Sequence, residues 1–336
     1  MQAFSRDQRV RAVLEVLGVF VLLLGASRIF DALPAGKWIG YGCVAVVFAV
    51  FIACVLKKKD FQRYGIQPEP GSGSRTEVLV FIISMFFLAL GGIWVAGILL
   101  LLCVTGRDFT GYGITMRTLK SDLKIVAICI VPVMVVDDIA LTLNTGSLQG
   151  TLIFSGLIAI LLVVILFLVK DVSCRNDTIR IRAGIIIPAI IAVSAVSLAS
   201  IITAPDAYHI TGIADYLTLA VNGLVFGFVL QAIPQQILFR GYIQSRLNEA
   251  FGRPYTFFGV SWGAGLVIAA LLFGLLHAVN MVNPFLGKFD ITPLWGVWTF
   301  FFGLVYGFLR EKTGSITAPA IIHGIEDTFS YLVWFV

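Results

Sequence analysis

A succession of apolar runs sets the limits on this chain. They lie at about 13–30, 38–56, 77–104, 125–143, 152–169, 184–202, 217–239, 260–279, 295–309 and 316–335. Most are close to the roughly twenty residues a helix needs to cross a bilayer core of about 30 Å. Backbone N–H and C=O groups in lipid must be paired within the chain, and the runs lack the alternation of barrel strands, so they are helices. The fold class is therefore all-α: a polytopic membrane helix bundle of about 8–10 helices. Composition agrees. Charged residues make up 13% of the chain, about half the share that coats a soluble domain. A soluble enzyme, a disordered chain and a disulfide-stapled secreted domain are excluded.

Net charge is +5, but the basic residues are scattered between apolar runs. They read as topology markers, and nucleic acid is not an expected partner. Basic segments at 57–76 (Lys57, Lys58, Lys59, Arg63, Arg75), 105–124 (Arg107, Arg117, Lys120, Lys124), 170–182 and 240–258 (Arg240, Arg246, Arg253) are expected in the cytoplasm. The 204–216 loop, with Asp206 and Asp215 and no Lys or Arg, is expected outside. The start has a basic lead and no small-residue cleavage site, so it reads as a first membrane helix with a cytoplasmic N-terminus. Cys43, Cys54, Cys103, Cys129 and Cys174 show no ligand spacing and read as small apolar residues.

One run conflicts with this topology. Both 57–76 and 105–124 are basic, yet only 77–104 separates them. A straight helix of that length reaches about 42 Å and crosses the membrane. A re-entrant pair bent at Gly91-Gly92 returns to the same side and is the preferred reading; a single tilted span is the alternative. The flanking segments also share a motif, Asp60-Phe61-Gln62-Arg63-Tyr64-Gly65-Ile66 against Asp108-Phe109-Thr110-Gly111-Tyr112-Gly113-Ile114.

Polar side chains inside spans are costly and mark function by default. Residues 184–336 hold nearly all of them, and 1–183 read as accessory helices. Pro234 lies in Gln231-Ala-Ile-Pro-Gln235-Gln236-Ile-Leu-Phe-Arg240, where the lost donor loosens a helix, and Gln236 and Arg240 share a face at i, i+4. Phe273-Gly-Leu-Leu-His277 places an imidazole near the end of its run. His323-Gly-Ile-Glu326-Asp327 places an imidazole and a carboxylate on one face, with Glu326 on another, where interhelical pairing is its plain role. The other histidine, His209, lies in the acidic loop. In the first half the polar exception is Asp137-Asp138, a cation or proton site in a transporter reading that lacks the span-length inverted repeats it needs.

The run PQQILFRGYIQSRL, then LLFGLLHAVN, then FFGLVYGFLREKTGSITAPAIIHGIEDTF resembles the CPBP family of intramembrane proteases, which includes CAAX prenyl endopeptidases and bacteriocin-processing proteins. The resemblance covers roughly 217–336. It implies an intramembrane endopeptidase of a multi-pass, prokaryotic plasma membrane, acting on a peptide or on a prenylated or membrane-anchored protein tail. The first motif acid and the first histidine would activate water; the second histidine and its partner would hold the oxyanion. Carried across, those roles fall on Gln235, His277, His323 and Asp327, with Gln236 and Arg240 organising the helix face. Zinc is the candidate cofactor, with His277 and His323 as its conditional ligands.

The departure is at 235 and 236, where the family has two glutamates. A glutamine keeps the shape but accepts no proton from water, so this chain is expected to be nearly inactive. A natural pseudoprotease and a deliberate isosteric replacement both account for it; retention of Arg240, His277, His323 and Asp327 favours the replacement. A non-catalytic membrane protein of immunity or regulatory type, holding a peptide, lipid or membrane-protein partner in the same cavity, is the alternative.

Overall fold

The computed structural model describes residues 5–33, 92–115, 118–172 and 221–334, with isolated positions 42, 45, 46, 49, 53 and 218. The expected run at 38–56, apart from those isolated positions, the run at 184–202, the segment 57–76 and the 204–216 loop with His209 lie outside these residues.

Helix α1 (Arg6–Ala32) opens with a reciprocal cap: Gln8 N–H donates to Ser5 Oγ and Ser5 N–H to Gln8 Oε1. It buries Ala12, Val16 and Phe20 and leaves Leu14, Val21 and Leu22 exposed. That is the pattern of a helix with one protein face and the rest in lipid. Helix α2 (Ile93–Val104) starts directly after Gly92, whose φ of +87° is outside the helical region. Gly91 and the residues before it, the other arm of the expected re-entrant pair, lie outside the described residues.

α3 (Leu119–Thr142), α4 (Leu148–Val169), α5 (Gly223–Phe251), α6 (Ala264–Ala278), α7 (Pro293–Thr313) and α8 (Thr317–Trp334) follow among the described residues. Among those residues three helices, α1, α4 and α5, are long and apolar enough to cross a membrane. The chain is a polytopic helical membrane protein. α6 packs along α7, α8 along the first half of α5, α4 against α7, and α3 against both α4 and α8. Two short hairpins depart from the all-α expectation. β1 (Tyr255–Phe257) pairs with β2 (Val260–Trp262), and β3 (Val282–Asn283) with β4 (Lys288–Phe289). The first turns through Phe258 and Gly259, both at positive φ, which suits a two-residue turn between twisted strands.

The basic segment expected at 240–258 is corrected by the structure. Helix α5 runs on to Phe251, so Arg240 is a fully buried helical residue and Arg246 a helical one; only Arg253 sits in a loop. The α5 backbone is wide on both sides of Pro234. Residues Gly223–Ala232 and Ile237–Gln244 are π-helical, and Ile233 N–H reaches back five residues to Phe228 O. Proline lacks the N–H that would close an ordinary turn, and a widened helix is one way to accommodate that loss.

An ion-pair network ties α1 to α5. Glu15 accepts from Arg107 at 2.6 Å, Tyr242 at 2.8 Å and Arg246 at 3.0 Å. Burial works against the charge of Arg107, but the bond to Glu15, together with the charge of Glu15 and the phenols of Tyr112 and Tyr242, outweighs it and raises the guanidinium above its ordinary value. Tyr112 donates to Glu249, and burial, then that carboxylate, push its phenol up.

The 108–114 segment packs into the bundle. Phe109 and Tyr112 are buried, and Gly113 O accepts from Ile316 N–H. Gly113 has φ +73°, and a Cβ there would meet the Arg310 guanidinium at 2.5–2.8 Å. Gly113→Ala should therefore destabilise the protein by at least about 1 kcal/mol from the left-handed backbone alone, and more from displacing Arg310 off Gly111 O. An unchanged thermal unfolding midpoint in detergent would contradict this.

Candidate active site

Three helices bring the motif residues together. The turn of α5 at Ile233–Gln236 carries both glutamines, α6 ends with His277 in its last turn, and α8 carries His323 and Asp327. Gln235, His277, His323 and Asp327 line one cavity of about 800 Å³, walled on another side by Trp295, Trp298 and Phe302. Gln236 and Arg240 lie behind it, each 0% exposed.

Hydrogen bonds fix the two imidazoles in different states. The Nδ1 of His277 is 2.9 Å from Phe273 O. A carbonyl only accepts, so that nitrogen carries the proton and Nε2 keeps its lone pair. The Nδ1 of His323 is 2.9 Å from the Gln236 amide nitrogen. The amide N–H donates, so His323 carries its proton on Nε2, which faces Asp327 Oδ2 at 3.5 Å. One ring thus offers an acceptor and the other a donor. Both rings lie against Phe273, with centroids at 4.6 and 5.7 Å, and His323 stacks on Tyr306 at 4.9 Å.

Arg240 serves the scaffold. It donates to Gly303 O on α7 at 2.8 Å, and its guanidinium lies 4.9 Å from the Phe273 ring and 5.5 Å from that of Tyr306. It thereby joins α5 to α7 under the rings that seat both histidines. Among the described residues no three His, Cys, Asp or Glu side chains converge as a metal-binding group. The neighbours of His277 and His323 on α5 are amides, which are poor zinc ligands. The side chains present do not make a zinc site.

Residues 217–329 match the family described as type II CAAX prenyl endopeptidase Rce1-like. The chain contains a Rce1-like CAAX protease domain. No curated protein and no solved structure matches the chain. The Rce1-like domain includes every residue the three sequence motifs singled out, from Gln235 to Asp327.

Other contributors to the cavity were not visible in those motifs. Asp137, from α3, lines it although it lies outside the Rce1-like domain. Tyr306 lines it too and donates to Glu326 in a very short hydrogen bond, giving that acid the interhelical pairing expected of it. Asp137 was legible as a costly polar residue within a span; only the packing of α3 on α8 supplies its neighbours.

Proposed function

We propose that residues 184–336 form the catalytic core of an intramembrane endopeptidase and that 1–183 are its accessory helices. The single observation carrying this reading is that Gln235, His277, His323 and Asp327 line one cavity. The substrate is a peptide or a membrane-anchored or prenylated protein tail that enters between helices. Hydrolysis would follow from a water held between position 235 and His277, with His323, positioned by Asp327, holding the oxyanion. His277 retains its acceptor and His323 its donor. What the chain lacks is the carboxylate at 235, so its own hydrolysis is expected to be very slow. Hydrolysis of a prenylated or membrane-anchored peptide in proteoliposomes by the Gln235→Glu, Gln236→Glu protein is the test.

One observation favours a second reading. Gln236 is fully buried and its amide donates to His323, so the glutamine is a fitted partner of the imidazole. A protein that binds a peptide or a membrane partner in this cavity without cleaving it would keep that bond.

The orientation we propose places the N-terminus and the basic segments 57–76 and 105–124 in the cytoplasm of a prokaryotic plasma membrane. With the five native cysteines replaced, Arg63→Cys and Arg117→Cys should be labelled from the same side. Labelling from opposite sides would end the re-entrant reading of 77–104.

A further inference from the structure

We propose that the cavity takes an organic cation: the ammonium or guanidinium of a basic residue on the bound peptide. Three carboxylates reach it from two helices, Asp137 from α3 and Glu326 and Asp327 from α8. Asp137 is near enough to the other two to interact with both electrostatically. No lysine or arginine lines the cavity among the described residues. Arg240 is turned away to Gly303 O behind the Phe273 and Tyr306 rings.

The polar atoms left over say what kind of group fits. Glu326 is 7% exposed, and while one oxygen accepts from Tyr306, Oε1 is buried with no partner. Gln235 Oε1 is likewise buried with no partner. Asp327 Oδ2 has only the 3.5 Å approach of His323. All three are acceptors, so the complementary ligand supplies donors. An ammonium brings three and a guanidinium five, and neither brings an acceptor. A carboxylate or phosphate would set acceptors against acceptors. The opposite wall suits the same class of ligand, since Trp295, Trp298 and Phe302 offer aromatic faces to a cation. The cavity therefore selects against a peptide's terminal carboxylate at this wall and for a basic side chain. The choice of a peptide rests on the function proposed above; the preference for a cation rests on the wall.

The full chain in zwitterionic nanodiscs provides the test, with empty discs subtracted. Membrane-anchored fluorescent peptides differing at one residue (lysine, norleucine or glutamate) are titrated against it. The lysine peptide should bind about tenfold tighter than the norleucine peptide, with glutamate weakest, as expected where a charged group gains buried hydrogen bonds. Asp137→Asn with Glu326→Gln should bring the lysine-to-norleucine ratio towards one, and Asp137→Asn alone should lower it. Dodecylammonium against uncharged dodecanol puts the cation question without a peptide. Preference for the amine with no binding of any peptide would overturn the peptide reading and uphold the cation site. Equal binding of the two amphiphiles, or a ratio untouched by the double substitution, would overturn the proposal.

Discussion

Gln235→Glu together with Gln236→Glu should raise peptide hydrolysis by about 10²–10⁴ over the chain as it stands, the usual contribution of a general base. The two substitutions act differently. At 235 the side chain lines the cavity with an unpartnered oxygen, so a carboxylate there has room to take a proton from water beside His277 Nε2. At 236 the amide now donates to His323 Nδ1 at 2.9 Å. A carboxylate cannot donate, so with Gln236→Glu the His323 Nδ1 has to carry a proton while Nε2 keeps its own towards Asp327, and the ring becomes an imidazolium between two carboxylates. The pair therefore restores a base and leaves the oxyanion donor in place. His277→Ala in the restored protein should return the rate to background, and His323→Ala should do nearly the same by removing the oxyanion donor. Rates are measured in proteoliposomes on prenylated and unprenylated peptides. Hydrolysis that survives His277→Ala would place the chemistry outside this cavity and leave the binding reading in its stead.

Arg240→Ala should be damaging through structure. It removes the second hydrogen bond to Gly303 O, strips a cation from Phe273 and Tyr306, and leaves a void at a position with 0% exposure. A hydrogen bond from a charged group is worth roughly 1.5–3 kcal/mol, and the lost packing adds to it, so a loss of about 3 kcal/mol or more is expected. Thermal unfolding in detergent reads it, as a markedly lower midpoint and yield. Arg240→Lys should rescue little, because an ammonium cannot lie flat against the ring of Phe273 while reaching the carbonyl. The discriminating comparison is between stability and KM. If Arg240→Ala left the unfolding midpoint unchanged and raised KM in the restored protein, the side chain would be handling substrate, and its scaffold role would be wrong.

The sequence was informative where one helix suffices to define a relation. The four-residue spacing of His323 and Asp327 predicts that they share a face, and they approach to 3.5 Å. Position 240 shows where local reading stops. An arginine after an apolar run reads as the start of a cytoplasmic loop, yet α5 continues for eleven residues to Phe251. What keeps Arg240 inside is a carbonyl and two rings on other helices, none adjacent in sequence. Asp137 is similar: its chemistry was plain, but its neighbours Glu326 and Asp327 depend on how α3 meets α8. Glu15 was missed altogether, because its partners Arg107, Tyr242 and Arg246 are far along the chain.

That last network carries a consequence for biosynthesis. Glu15 leaves the ribosome in α1, and its ionic partners follow 92 and 231 residues later, as Arg107 and Arg246. A carboxylate in a membrane span is costly until a counter-charge reaches it. Arg107 arrives first and can hold the acid while the intervening helices are inserted. When α5 emerges, Arg246 and Tyr242 find an anion already placed for them. The helix bearing the two glutamines is thus received by a template laid down earlier in translation. A fragment cut to 217–329 would have to insert that helix with Arg246 left to Glu249 alone, at 3.4 Å.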